Sequence, residues 1–301
     1  MLKSIKYLPE KDQENLKQVV SLILEELYGC ERIILYGRWS RAGYRASAHP
    51  VQRADYELLI LIAPGSSVEM TVRKLRKVRK RFLRGSAGGA DLLLQAADIL
   101  VFNRYLDESR YLYTCIKRDG IELYSSGQYR LARRRPVDYR AVGLLAQSYF
   151  DGKLATATGF MSGAAFHLGE GNYALALFSL HQSIESLYHT IHLVFTLVKP
   201  REHDLEQLIF RTRNLAPGIE QLFPRYGPDG ERLFQLLRRA YIEARYNPEF
   251  TVSREDVETL LPLVRHIGET VAYVCREQIA AYRALAAGKS VGRRRDPGGG
   301  L

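Results

Sequence analysis

Three cysteines, Cys30, Cys115 and Cys275, are all that the 301 residues contain. They stand far apart and in no paired spacing, so they make neither a disulfide framework nor a zinc site. A chain so poor in them is expected in a reducing cytoplasm. Long apolar runs are missing too. No uninterrupted stretch approaches the ~20 residues that cross a bilayer, so no membrane-spanning segment is expected. The opening Met1-Leu2-Lys3-Ser4-Ile5-Lys6 leads into charged residues rather than the apolar core of a secretory signal. There is no internal repeat. Acidic residues are the minority: Lys+Arg 44 against Asp+Glu 33 gives a formal charge of +11. Such an excess favours polyanions as partners and does not choose among them.

What is present is ordinary for a globular protein, with 46% hydrophobic and 26% charged residues. The length suits two domains. The stretch Ile33 to Ile62 carries the first chemical signal. Ile33-Ile34-Leu35-Tyr36 is short and rich in β-branched residues, as in a buried strand. Gly37-Arg38-Trp39-Ser40-Arg41-Ala42-Gly43 then makes a basic loop, and a second apolar run opens with Asp55-Tyr56-Glu57. Residues two apart on a strand share a face, so Asp55 and Glu57 project side by side, near Arg38, Arg41 and Arg45. Paired carboxylates repel unless a cation lies between them, and Mg²⁺ held by carboxylates and substrate phosphates meets that need. The plainer alternative is an edge strand with solvated charges.

At these residues the chain resembles the minimal nucleotidyltransferase family of the DNA polymerase β type. Its members write Gly-Ser on the loop after the first strand and Asp-x-Asp on the next. Here Gly37 and Arg41 match, Arg38 replaces the serine, and the pair reads Asp55-x-Glu57. The resemblance implies nucleotide contacts from Gly37, Arg38, Ser40 and Arg41, and Mg²⁺ on Asp55 and Glu57. It implies a third carboxylate on a later strand. Asp98, in Ala97-Asp98-Ile99-Leu100-Val101-Phe102, is the nearest candidate and would help activate an attacking hydroxyl.

Further along, apolar residues from Leu16 to Leu27 recur at helical spacing. After the turn Pro64-Gly65-Ser66-Ser67, residues 68–83 predict a helix with Arg73, Lys74, Arg76, Lys77, Arg79, Lys80, Arg81 and Arg84 around an apolar face of Val72, Leu75 and Phe82. It reads either as a solvated face or as an electrostatic platform for nucleic acid, with no acidic partner at helical spacing to relieve it. Gly85 to Gly89 is a loop. Ala97 to Phe102 is expected as a third strand, with a short helix near Asp107 to Lys117 and a strand at Gly120 to Tyr124. The basic, proline-bounded segment Arg130 to Pro136 marks a domain boundary.

Beyond it the pattern is helical. Asp138 caps a helix through Phe150, and another runs over Leu154 to Leu168. Tyr173 to Val198 is apolar on most sides, as in a central buried helix. Asp229 to Tyr246 and a long last helix from Ser253 complete the set. Leu180-His181-Gln182-Ser183-Ile184-Glu185 followed by His203-Asp204-Leu205, with Ala240-Tyr241-Ile242-Glu243-Ala244-Arg245-Tyr246 later, resembles the HEPN family of helical bundles over residues 138–280. The two halves together look like fusions of a nucleotidyltransferase with a HEPN domain, whose separate chains form antitoxin and toxin pairs. Active HEPN ribonucleases follow the arginine by a histidine within a few residues. Here Arg245 leads into Tyr246-Asn247-Pro248-Glu249-Phe250-Thr251-Val252, and RNA cleavage lacks its proton carrier. His181, Glu185, His189 and His192 fall near one stripe, where hydrogen-bonded core residues are favoured over a metal site. Gly288-Lys289-Ser290 lacks the upstream glycine of a phosphate loop.

The expected fold class is therefore α+β, with a nucleotidyltransferase-like mixed sheet and helices over 1–130 and an all-α HEPN-like bundle over 136–287. A disordered basic tail is expected over 288–301. The leading function is nucleotide binding with Mg²⁺-dependent transfer to a protein or RNA hydroxyl. The alternative is a non-catalytic nucleotide- or RNA-binding module. A nucleoside triphosphate and RNA are the expected partners. A homodimer is expected through the helical half, its groove lined by Arg245, Tyr246 and Tyr241.

Overall fold

The computed structural model describes residues 1, 4–39, 56–85, 91–133, 135–200, 202–213, 215–223 and 228–288. They form two compact units that divide between Val137 and Asp138.

The first unit is a mixed sheet between helices. Its strands are β1 (Cys30–Tyr36), β2 (Tyr56–Ile62), β3 (Leu92–Asp98) and β4 (Ile121–Ser125), in the order β3-β2-β1-β4. β1 runs antiparallel to β2 and β4, and β3 runs parallel to β2. β2 is buried at every position, as a central strand covered on both faces must be. Tyr56, Leu58, Ile60 and Ile62 pack with Leu16, Val19 and Ile23 of α1 (Glu10–Glu26) and Leu75, Val78 and Phe82 of α2 (Val68–Gly85). The alternate residues Leu59 and Leu61 pack with Ile99, Phe102 and Leu106 of α3 (Ile99–Asp107) and Ile116 of α4 (Tyr111–Asp119). By the same alternation Glu57 belongs to this second face.

The third strand lies earlier in the chain than the sequence pattern suggests. Leu92–Asp98 is the strand, and Ile99 begins a helix. The short run Ala97 to Phe102 fits either state on apolar content alone. Asp98 decides it: its Oδ1 accepts hydrogen bonds from the amides of Leu100 (2.7 Å) and Val101 (3.2 Å), an N-cap that starts the helix. Ile99, Phe102 and Leu106 then bury one helical face.

The second unit is all helix: α5 (Tyr139–Gly169), α6 (Tyr173–Thr196), α7 (Leu205–Thr212), α8 (Pro228–Tyr246) and α9 (Arg254–Ala286), with a short 3₁₀ turn at Ile219–Gln221. α5 is one helix where the sequence suggests two. Asp151-Gly152-Lys153 reads as a break, but Ala146, Phe150, Ala157 and Ala164 keep a helical stripe buried through it. That burial outweighs the ~1 kcal/mol a mid-helix glycine costs. Asp138 caps α5, as expected, through the amides of Arg140 and Ala141. α6 is the centre, buried at 18 of its 24 positions against its neighbours. α9 opens with a capping box between Ser253 and Asp256. Among the described residues no helix is long and apolar enough to cross a membrane.

Candidate functional site

In the first unit the loop after β1 begins as expected. Gly37 has φ +67°, a left-handed conformation that favours glycine. A second constraint is harder. Tyr36 pairs with Glu57 across the ladder, and a Cβ on Gly37 would lie 2.0 Å from Glu57 Oε1. The Glu57 carboxylate therefore lies directly over the glycine, in a residue only 6% exposed. Asp55, Ser40 and Arg41 lie outside the described residues, as does the side chain of Arg38.

Asp98 does not join Glu57. In the parallel β2–β3 ladder Glu57 pairs with Leu93, and Asp98 pairs with Ile62. Five residues separate the two levels, roughly 16 Å at the rise of a parallel strand. At that far end Asp98 caps α3, and its second oxygen faces the amide of Gly65 at 3.3 Å. The acid that starts β3 is Asp91, whose carbonyl accepts from the Tyr56 amide at 2.9 Å. Its carboxylate receives a fork from Arg79 of α2, with Nε to Oδ1 at 2.7 Å and a second bond from Nη2. Among the described residues no three His, Cys, Asp or Glu side chains could hold a metal. Glu57 and Asp98 alone do not make a Mg²⁺ site.

The second unit brings its candidate residues together. α6 carries Phe178, His181, Glu185 and His189 at three- and four-residue spacing, so they share one face. The segment before α7 brings His203, and α8 brings Tyr241 and Arg245. Glu185 is the hub. His203 Nδ1 lies 3.0 Å from Glu185 Oε1, His181 Nε2 lies 3.7 Å from Oε2, and His189 Nδ1 lies 4.0 Å from Oε1. His181 Nδ1 reaches the carbonyl of Leu237 and His189 Nε2 that of Glu202, both at 3.0 Å. Burial would push Glu185 up, but the contacts from His181 and His203, with the field of His189, hold it below the ordinary carboxylate value. Burial holds His189 below the ordinary histidine value, so its neutral form is favoured. His181, Glu185 and His189 are buried and His203 is exposed, and the four are linked through contacts to the Glu185 carboxylate. Asp204 caps α7 by accepting from the Gln207 amide at 3.0 Å, and His203 just before it bonds to Glu185.

The Tyr241 ring joins this hub to the surface. His181 stacks on it at 5.2 Å, and His203 lies parallel to it within 6° at 6.3 Å. The Arg245 guanidinium carbon sits 4.6 Å from the Tyr241 ring centre, 5.0 Å from Tyr246 and 5.3 Å from Phe178. Arg245 Nε donates to the Tyr241 carbonyl at 2.8 Å, which orients the guanidinium. Among the described residues no carboxylate pairs with it. Tyr246 is 73% exposed. The sequence pattern named Arg245, Tyr246 and Tyr241. It missed Phe178 as a third ring and the bond between Glu185 and His203, which are 18 residues apart.

Comparison with protein families agrees with the helical half: residues 153–276 match the HEPN domain family. No family match supports a nucleotidyltransferase over residues 1–130. Among curated proteins none matches the chain.

Proposed function

We propose that the helical unit is a nucleotide- or RNA-binding module of the HEPN type, in a toxin–antitoxin-like chain, and that Arg245 with Phe178, Tyr241 and Tyr246 is its contact site. The observation that carries this reading is a fixed, exposed guanidinium framed by three aromatic rings and unpaired with any carboxylate among the described residues. A phosphate takes the guanidinium edge, and an unstacked base takes the exposed face of Tyr246. Stacking a base on an aromatic ring is worth about 1–3 kcal/mol. Arg245→Ala/Tyr246→Ala should therefore weaken binding of labelled RNA or nucleoside triphosphate by tenfold or more. Unchanged affinity for all of these ligands in that variant would remove the basis of the reading.

Nucleotidyl transfer by the first unit is the weaker proposal. Glu57 is buried over Gly37, and Asp98 caps a helix at the other end of the sheet. Incubation with each labelled triphosphate and Mg²⁺, with Asp55→Ala/Glu57→Ala as control, tests it by transfer of label to protein or RNA. Homodimer formation through the helical unit is also a proposal, and its support has narrowed. Leu233 and Leu237 are buried inside the unit, so the apolar surface left on α8 is Ile242, 60% exposed, and Tyr246.

A further inference from the structure

The outward face of α2 is a charged surface that the Arg245 site leaves unexplained. Leu75, Val78 and Phe82 fix its inner face against the sheet. The cations on its flanks are held by acids of neighbouring elements. Arg79 binds Asp91, Arg81 lies 2.9 Å from Glu25 of α1, and Lys77 lies 3.5 Å from Glu26. Arg73 pairs with Glu69 one turn back at 2.7 Å, which corrects the expectation that no acid relieves this helix. That pair is 65% and 78% exposed, the kind worth only a few tenths of a kcal/mol. Opposite the buried stripe, Arg76, Lys80 and Arg84 are exposed and make no ion pair among the described residues. They lie four residues apart, so successive charges rise about 6 Å along the axis, comparable to the spacing of neighbouring phosphates on a nucleic-acid strand.

We propose that this face, with Arg76, Lys80 and Arg84 as its contacts, docks the phosphate backbone of a single-stranded RNA. The flank pairs tie the helix to α1 and to Asp91 before β3, and the outward cations are left to the ligand. An anionic membrane fits poorly, because a helix lying on lipid inserts its apolar side, and here that side is buried in the sheet. A protein partner fits poorly, because the stripe of Arg76, Lys80 and Arg84 itself carries no apolar side chain, and the exposed Met70 and Leu83 lie off it on the flanks of the helix. The choice of a single strand over a duplex rests on the reading of Arg245 and its rings as a site for unstacked bases.

The test is fluorescence anisotropy of the full chain with a labelled single-stranded RNA over a range of KCl concentrations. Arg76→Glu/Lys80→Glu/Arg84→Glu should weaken binding at least tenfold. It should also lower the slope of log affinity against log salt by about 2, since each phosphate contact on a single strand contributes ~0.7. Arg76→Gln/Lys80→Gln/Arg84→Gln should give a smaller loss in the same direction, and serves if the reversed charges impair folding, judged by circular dichroism. Arg245→Ala should lower affinity and change the slope by no more than one contact. An unchanged slope in both triple variants overturns the proposal, as does binding of duplex DNA or polyglutamate in preference to RNA. A slope lost only in the triple variants, with Arg245→Ala without effect, would leave this surface standing and remove the aromatic site instead.

Discussion

Replacing Gly37 by alanine probes the loop that opens the candidate nucleotide site. The residue has φ +67°, where a side chain costs about 1–2 kcal/mol. The new Cβ would also lie 2.0 Å from Oε1 and 2.6 Å from Cδ of Glu57, well inside contact. Glu57 is 6% exposed, so its carboxylate has little free space into which to turn, and overpacking of this kind costs about 1–3 kcal/mol. Together the two effects should destabilise the first unit by about 3 kcal/mol. The protein supplies its own reporter. Trp39 is the single tryptophan, is 7% exposed and lies 5.0 Å from the Tyr56 ring, so urea unfolding followed by its fluorescence reads the first unit alone. A double-mutant cycle separates the two causes. In Gly37→Ala/Glu57→Ala the steric part should return while the backbone part remains, giving a coupling of at least ~1 kcal/mol. A single-variant loss below about 0.5 kcal/mol, or a coupling near zero, would refute the account of how Glu57 lies over the loop.

Stability of the second unit should fall in mild acid through His192, 8% exposed on α6, whose pKa burial pushes down to about 3, with Arg211 and His189 adding to the effect. The folded pKa lies below the unfolded one, so this contribution is complete above the ordinary value of 6.5 and is lost as pH falls towards 3. From pH 6.5 to about pH 5 wild type should lose ~2 kcal/mol more than His192→Leu in urea melts followed by circular dichroism; equal losses contradict it. Glu185 is depressed as a carboxylate, so its contribution holds in that interval and is lost only at lower pH. Purified protein in EDTA should leave RNA intact, because no histidine stands within the few residues after Arg245, Tyr246 to Val252. His203, the more exposed of the two histidines that the fold stacks with Tyr241, makes the test sharper: cleavage lost in both Arg245→Ala and His203→Ala would show that it serves as proton carrier. Light scattering should find a dimer for the full chain, and a monomer at tens of micromolar, where standard interfaces hold, would end that proposal.

Local rules were enough for much of this chain. The mixed class, the basic helix, the caps at Asp138 and Ser253 and the buried central helix follow from periodicity and from side chains bonding within four residues of themselves. Arg245, Tyr241 and Tyr246 were legible as a group because Tyr241 stands one helical turn before Arg245 and Tyr246 directly follows it. Register was not legible. Whether Asp98 stands beside Glu57 depends on which residue of β3 meets which of β2, and a short apolar run carries no such information. The pairing of basic residues on α2 with Glu25, Glu26 and Asp91 depends on which elements the sheet brings alongside the helix. The bond between Glu185 and His203 arises because the chain turns back after α6, where Leu197 takes a left-handed conformation. Sequence pattern determined which side chains carry charge and which face of each helix is buried, since both are fixed by chemistry and local geometry. The tertiary structure alone decided which charges meet, because contact between distant residues is set by packing rather than by spacing.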